Sequence, residues 1–188
     1  SGSQDFPLAL SPLLKAFQPG TEGSPAFEAL FIPDDAATVA AIKTQAAQHA
    51  LGKVQFLGTN LAKPGKTSTV ATIRGLEGIL FPDAFFINDP NPGVQSFVTA
   101  YRQRYHSEPD YLAAQGYMAV RLLAQLLENQ PKISREMLPQ KLMAVRSLPS
   151  LPWFQGFAPD RQAELNLYIL PIKNGRVEMA PSPAASQP

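Results

Sequence analysis

Residues 27–86 read FEALFIPDDAATVAAIKTQAAQHALGKVQFLGTNLAKPGKTSTVATIRGLEGILFPDAFF and carry the clearest pattern of secondary structure in the chain. It contains three short apolar runs, which predict strands at residues 27–32, 54–57 and 78–86. A strongly helical segment separates the first two runs, and the connections are turns of a few residues. This alternation predicts an α/β fold with a parallel sheet and flanking helices, and the almost continuous apolar character of the strands predicts burial on both faces.

The segment between the first two strands is predicted to form a helix over residues 34–49. Asp34 or Asp35 is a suitable N-cap, because an aspartate side chain can accept a hydrogen bond from a backbone N–H of the first turn. Alanines supply helix propensity along the segment. The apolar positions at three- and four-residue spacing are Val39, Ile42, Ala46 and Ala50. They predict a stripe that lies on the sheet.

Polar side chains follow the predicted strands, where ligands and partners of open parallel sheets bind. We therefore predict a recognition site at this edge, formed by a set of carboxylates, a hydroxyl, an amide and an aromatic ring. The candidate residues are Asp34, Asp35, Thr59, Asn60, Asp83 and Phe86.

Two interpretations of these candidates stay open. The aspartates after the first strand either bind a ligand amine or stabilise the N-terminus of the following helix, which favours negative charge. Asp83 and Phe86, together with Phe85, either line a cleft or belong to the core. Local pattern alone allows both interpretations of each pair.

Length, charge and composition exclude several classes of protein. The 188 residues suffice for one domain with a core, or for a domain with an appendage. A net charge of +1, with 16 basic and 15 acidic side chains mixed along the chain, gives no reason to expect nucleic acid. The absence of cysteine excludes disulfides and thiolate metal sites. No apolar run reaches the roughly 18 residues of a membrane span, so we expect no membrane insertion by this segment.

No pattern in the chain predicts a catalytic, metal or cofactor site. His49 and His106 have no acidic neighbours at ligand spacing, whereas zinc sites need three or four converging ligands. The tripeptide at residues 65–67 resembles the end of a phosphate-binding loop, but Asn60 stands where that motif requires glycine. A Gly-x-Ser-x-Gly nucleophile motif does not occur. We therefore predict that the protein is not an enzyme.

The chain divides into three predicted parts. Residues 1–25 form a lead-in with a short helix starting near Ser11, and residues 26–180 form the α/β lobe with its crossover helices. The proline-rich residues 181–188 predict a disordered tail. The chain starts with serine rather than methionine, which is typical of a processed or engineered start.

The second half of the lobe is predicted to be mainly helical. Helices are expected at residues 94–105, 111–128 and 133–146, followed by a hairpin whose turn is residues 173–175. The second of these helices is apolar nearly all round, which predicts burial on two sides. The adjacent aromatic residues Trp153 and Phe154 either pack under the hairpin or form an exposed anchor for a partner.

A family resemblance is carried by motifs in a particular order. These motifs are residues 27–34 (FEALFIPD), 57–60 (LGTN), 91–92 (NP), 108–109 (EP), 113–117 (AAQGY) and 156–160 (GFAPD). In this order they resemble type I periplasmic ligand-binding proteins, especially branched-chain amino-acid receptors and the receptor-like domain of outer-membrane lipoproteins that activate penicillin-binding proteins. The resemblance implies two α/β lobes with a ligand cleft, of which this chain corresponds to the second lobe and the C-terminal part.

The resemblance also implies a function and a location. Amino-acid receptors of this family offer a carboxylate from the loop after the second strand, whereas this chain has Thr59 and Asn60 there. A neutral amide cannot make that charge-assisted hydrogen bond, which is worth about 1.5–3 kcal/mol. The resemblance therefore implies a non-catalytic scaffolding module that contacts a cell-wall synthase or another envelope protein. The alternative is a fragment of a transporter's solute receptor for amino acids or another small polar ligand.

In both cases the resemblance implies a periplasmic protein. Anchoring to the outer membrane would use an N-terminal lipid-modified segment that this sequence does not contain. The resemblance further implies that the helix at residues 111–128 packs against the first lobe.

Overall fold

The computed structural model describes residues 27–48, 51–65, 67–129 and 133–180. His49 and the segments predicted as a lead-in and a disordered tail lie outside the described residues. The chain forms two compact units. The first unit runs to Pro82 and resumes at Ile169, and the second unit is Asp83–Tyr168.

The helices and strands alternate through the first half of the chain, as predicted. In chain order they are β1 (Ala29–Ile32), α1 (Ala36–Gln48), β2 (Gln55–Gly58), α2 (Val70–Gly75), β3 (Leu80–Asp83), α3 (Pro92–Tyr105), α4 (Tyr111–Asn129), α5 (Leu138–Ala144), β4 (Phe154–Phe157), β5 (Ala163–Leu165), β6 (Tyr168–Lys173) and β7 (Arg176–Val177). The five-stranded sheet has the order β1-β2-β3-β6-β7. Strands β1, β2 and β3 pair in parallel, and β6 and β7 form the predicted antiparallel hairpin. The α/β fold class is confirmed.

Helices α1 and α2 cover one face of the sheet. Successive right-handed crossovers that run in the same direction place both helices on the same side. Accordingly, the Lys43 ammonium of α1 lies 5.8 Å from the centre of the Phe56 ring in β2. Gly75 of α2 packs so tightly on Ala40 of α1 that an added Cβ would lie 2.8 Å from the Ala40 Cβ. The side chains on this face are therefore buried.

The opposite face of the same strands is exposed. Phe31 of β1 is 57% exposed, and its neighbours across the sheet, Leu57 and Leu80, are only partly buried. The prediction that these strands are buried on both faces is therefore wrong for the described residues. Apolar composition shows that a strand prefers burial, but it does not show which elements supply the cover.

Two predicted elements are shorter in the structure. The third strand, predicted for residues 78–86, is limited to β3, and the three residues after it are buried in the second unit. The helix predicted for residues 133–146 is limited to α5, which has a proline in its first turn. Proline fits this position because the first N–H groups of a helix have no partner within the helix.

The core of the second unit is aromatic. The Phe97 ring of α3 lies 5.7 Å from Phe85, 5.9 Å from Trp153 and 4.6 Å from Tyr117, measured between ring centroids. Trp153 and Phe154 are fully buried in this core, so the exposed-anchor interpretation is wrong, whereas packing under the hairpin stays a prediction. Strands β4 and β5 form a separate antiparallel pair that the sequence analysis did not predict.

Helix α4 is buried on one side only. Ala114, Met118 and Leu122 belong to the core of the second unit. On its other side, Leu112 is 73% exposed and Val120 is 66% exposed. The prediction of burial on two sides is therefore wrong for the described chain.

Candidate functional site

The carboxyl ends of β1 and β2 lie side by side at one edge of the sheet. Ile32 and Gly58 are partners in the parallel register, and neighbouring strands are about 4.8 Å apart. The loops that follow these two residues are therefore neighbours as well. We call the surface that they form the rim, and its residues are Asp34, Asp35, Thr59, Asn60 and the adjoining Leu61. The structure thus brings together four of the six predicted site residues.

Asp35 caps the N-terminus of α1. Its Oδ1 accepts a hydrogen bond of 2.8 Å from the backbone N–H of Thr38. This hydrogen bond holds the pKa of the Asp35 carboxyl below its ordinary value of 3.8, and slight desolvation acts in the opposite direction. The carboxylate is therefore charged at neutral pH, where the positive end of the helix dipole favours it.

Asp34 is exposed beside this cap. Its Oδ1 accepts a hydrogen bond of 2.7 Å from the backbone N–H of Asp35, and its own N–H donates to the carbonyl oxygen of Ile32 at 3.0 Å. These bonds shape the tight turn that ends β1. Part of the acceptor capacity of both aspartates is thus used within the turn, and a partner would meet carboxylates that are already fixed in position.

The β2 side of the rim is neutral. Thr59 Oγ1 accepts a hydrogen bond of 3.3 Å from the backbone N–H of Leu61, which caps the short 3-10 turn Asn60–Ala62. Leu61 is 63% exposed. Leu61 was not among the predicted site residues, although an apolar residue directly after two polar rim residues was a usable signal. The rim can therefore make apolar contacts as well as polar ones.

Asp83 and Phe86 belong to the second unit, where both side chains are buried. Asp83 is 2% exposed, and its Oδ1 accepts a hydrogen bond of 3.2 Å from the backbone N–H of Phe85. The Phe86 ring lies 6.1 Å from the ring of Tyr168. This burial agrees with the core interpretation of the pair, and a binding role for these two residues stays a prediction.

A hydrogen bond between Tyr168 and Asp89 joins the two ends of the second unit. The Tyr168 hydroxyl donates to Asp89 Oδ2 at 2.5 Å, and Asp89 Oδ1 accepts from the backbone N–H of Asn91 at 2.7 Å. Burial raises the pKa of the Tyr168 hydroxyl above its ordinary value of 10.0, and the hydrogen bond to Asp89 and the charge of Asp89 act in the same direction. Local sequence pattern could not predict this pair, because its members lie 79 positions apart.

The described residues offer binding groups but no assembled metal site. Within them, no group of three or more His, Cys, Asp or Glu side chains is placed to hold a metal ion. None of the helices that the structure describes is long and apolar enough to cross a membrane. The rim can bind through carboxylates, a hydroxyl, an amide and the Leu61 side chain.

Comparison with known proteins identifies the family. The family model described as periplasmic binding protein matches residues 23–176. The chain belongs to the periplasmic binding protein family. The resemblance predicted from the motif order is therefore confirmed. A search of curated proteins found no match for the chain.

Two solved amino-acid binding proteins share this fold. The leucine binding protein LivK of Thermotoga maritima is 26% identical, with a TM-score of 0.68 over 96% of this chain and 49% of that chain. The substrate binding protein LivJ of Streptococcus pneumoniae, solved with isoleucine, is 21% identical, with a TM-score of 0.67 over 95% of this chain and 48% of that chain.

The same fold occurs in a regulator of PBP1A. The C-domain of LpoA from Haemophilus influenzae, described as a regulator of PBP1A, is 16% identical, with a TM-score of 0.51 over 90% of this chain and 49% of that chain. The present chain spans about half the length of these three solved relatives.

Proposed function

We propose that this chain is a non-catalytic binding module of a bacterial envelope protein, located in the periplasm, and that it acts by contacting a cell-wall synthase. Membership of the periplasmic binding protein family supports a binding role and a periplasmic location. The LpoA C-domain, a regulator of PBP1A, supports the choice of a protein partner because it shares the fold over 90% of this chain.

The observation that carries the proposal is the composition of the rim. Its β2 side presents Thr59 and Asn60, which have no charge with which to bind an ammonium group. On its β1 side, Asp35 caps α1. A free amino acid would therefore lose a charge-assisted hydrogen bond worth about 1.5–3 kcal/mol at the β2 loop.

An exposed apolar residue on the rim favours a protein partner over a small polar ligand. Leu61 is 63% exposed and lies next to the polar rim residues in the chain. Protein interfaces combine an apolar centre with a polar surround in this way. We infer that Leu61 lies at the centre of the contact and that Asp34 and Asn60 lie around it.

The test compares binding of rim variants to a purified penicillin-binding cell-wall synthase from the same organism. The double variant Asp34→Lys with Asn60→Lys should weaken binding by about tenfold or more, because it places positive charge in the contact. Glu28→Lys is the control, since Glu28 is exposed just before the amino end of β1 and its reversal changes the net charge by about two units, against about three for the double variant. If the rim variant binds as tightly as the control, the proposed site is wrong.

A solute receptor is the second candidate, and the 26% identity to a leucine binding protein favours it. A receptor would be stabilised by its ligand, by about 2.7 kcal/mol when the free ligand is at 100 times its Kd. We therefore propose thermal unfolding of the chain with leucine, isoleucine or valine added. The protein-contact proposal predicts an unchanged melting temperature. A rise that Asp34→Asn abolishes would support the receptor instead.

A further inference from the structure

A chemically reactive dipeptide lies at the tip of the terminal hairpin in the first unit. Asn174 and Gly175 connect β6 to β7, and both have positive φ values, of 52° and 71°. Two successive left-handed residues are typical of a type I′ turn, for which Asn-Gly is a favoured sequence. Both residues are exposed. The turn therefore presents an asparagine amide and the following glycine nitrogen to water.

This is the only Asn-Gly pair in the sequence, and it is the dipeptide in which asparagine loses ammonia most readily. The Gly175 nitrogen gives up its proton and attacks the Asn174 Cγ, and the Nδ2 group takes up a proton and leaves as ammonia. Water then opens the cyclic succinimide at either carbonyl, which yields aspartate or isoaspartate. The reaction is fast before glycine, because no side chain hinders the attacking nitrogen. The turn requires glycine at the same position, since a φ of 71° disfavours any side chain.

The carboxylate of Glu77 binds both backbone N–H groups of this turn. Its Oε1 accepts a hydrogen bond of 2.8 Å from Asn174, and its Oε2 accepts one of 3.1 Å from Gly175. The turn also packs on α2, because a Cβ added to Gly175 would lie 3.2 Å from the Ile73 Cγ2. The nitrogen that would attack Asn174 is therefore held by a side chain 98 positions away.

These hydrogen bonds oppose the loss of ammonia in two ways. A carboxylate next to the Gly175 nitrogen disfavours the loss of its proton, because the negative charge that forms on the nitrogen is repelled by the charge of Glu77. Ring closure also has to bring this nitrogen to the Asn174 Cγ, which draws it away from Glu77. The turn must therefore open locally before the reaction can proceed.

We propose that Asn174 is a deamidation site of this chain and that Glu77 sets its rate by holding the turn closed. The aspartate product adds negative charge to the residue whose N–H bonds Glu77, and the isoaspartate product adds a methylene group to the backbone of the turn. Either product weakens the attachment of the hairpin to Glu77. The site is separate from the rim, because Gly78 donates to the Ile172 carbonyl oxygen at 2.8 Å and so places the hairpin at the amino end of β3.

Peptide mass spectrometry of the folded chain, incubated in mildly alkaline buffer, measures deamidation of Asn174. Glu77→Gln keeps the size of the side chain and removes its charge, so the rate should rise by about tenfold or more, as expected when hydrogen bonds to a charged group are lost. Glu178→Gln is the matched control, since Glu178 is exposed just after β7 and the same charge is removed. Its rate should equal that of the wild type. A Glu77→Gln rate at or below the wild-type rate would overturn the proposal, and a lower rate would show that Glu77 promotes the reaction by taking the proton.

A second measurement needs no variant. A synthetic peptide of residues 171–178, PIKNGRVE, gives the rate of deamidation without the fold. Asn174 in the whole chain should react more slowly than in the peptide, and the Gly175 amide hydrogen should exchange with solvent more slowly as well, since both processes require the turn to open. Equal deamidation rates in chain and peptide would overturn the proposal, as would unslowed exchange at Gly175. Circular dichroism checks that the Glu77→Gln chain is folded.

Discussion

At the scale of single residues, hydrogen bonds between sequence neighbours were predictable and those between distant residues were not. Asp35 accepts from Thr38, three positions away, so the N-cap pattern identified the bond. Glu77 accepts from the backbone N–H groups of Asn174 and Gly175, which are 97 and 98 positions away. Nothing near Glu77 in the sequence indicates that it fixes the turn of the terminal hairpin.

The cap at Asp35 can be separated from its charge by two substitutions. Asp35→Ala should lower the free energy of unfolding by about 1 kcal/mol, whereas Asp35→Asn should lower it much less, because asparagine is an equally good N-cap. Urea unfolding at pH 7 measures both. An asparagine variant as unstable as the alanine variant would show that the charge, rather than the cap, matters.

The pH dependence of the same residue has a defined sign. The folded-state pKa of Asp35 lies below its ordinary value of 3.8, so the charged form stabilises the fold. This stabilisation is present above pH 3.8 and is lost as the pH falls through the lower, folded-state value. In acid the wild type should therefore lose stability relative to Asp35→Asn, because asparagine does not titrate. Urea unfolding of both proteins across this pH range measures the change.

Tyr168→Phe tests the hydrogen bond to Asp89. Loss of a hydrogen bond to a charged group should lower the free energy of unfolding by about 1.5–3 kcal/mol at neutral pH. Because the pKa of Tyr168 is raised in the folded state, its contribution is complete below pH 10.0 and is lost as the pH rises above that value. The difference between wild type and variant should therefore shrink above pH 10.0.

Tyr105→Phe is the control for this experiment. Tyr105 is 60% exposed at the end of α3, so removal of its hydroxyl should change stability by less than about 0.5 kcal/mol. A Tyr168→Phe variant that matches this control at every pH would show that the bond to Asp89 contributes nothing.

At the scale of elements, the sequence predicted which segments form helices and strands better than which faces are covered. The predicted helix at residues 34–49 agrees with α1 to within two residues. The apolar run of β1 suggested burial on both faces, yet Phe31 is exposed while Ile32 is buried. Ile32 is buried because its face of the sheet is the one that the crossover helices cover. Which face they cover depends on the topology of the crossovers rather than on the sequence of any one strand.

The contact between α1 and α2 depends on the absence of a side chain at Gly75. Gly75→Ala should lower the free energy of unfolding by about 1–3 kcal/mol, because the new Cβ would lie 2.8 Å from the Ala40 Cβ and 3.2 Å from the Ala40 carbonyl oxygen. Gly116→Ala in α4 is the matched control. No atom lies within 4 Å of its added Cβ, so the change should stabilise the helix by up to about 1 kcal/mol. Equal effects would contradict the close packing of the two helices.

At the scale of the whole molecule, the sequence predicted the family and the alternation of strands and helices in the first unit, because both depend on the order of local patterns. It did not predict the division into two units, the β4–β5 pair or the bond from Asp89 to Tyr168. The bond joins residues 79 positions apart, and the first unit resumes at Ile169 only after the whole second unit, so neither depends on local pattern. The adjacency of the loops after β1 and β2 was predictable because the ends of parallel strands meet at one edge of their sheet.

Hydrogen–deuterium exchange of the chain, alone and with the purified penicillin-binding synthase, tests whether the rim is the surface that contacts the synthase. We expect the synthase to slow exchange in peptides covering residues 33–36 and 59–63, where the rim is, and to leave exchange in α4 unchanged. Protection of α4 with none at the rim, or no protection anywhere at saturating synthase, would show that the rim is not the contact surface.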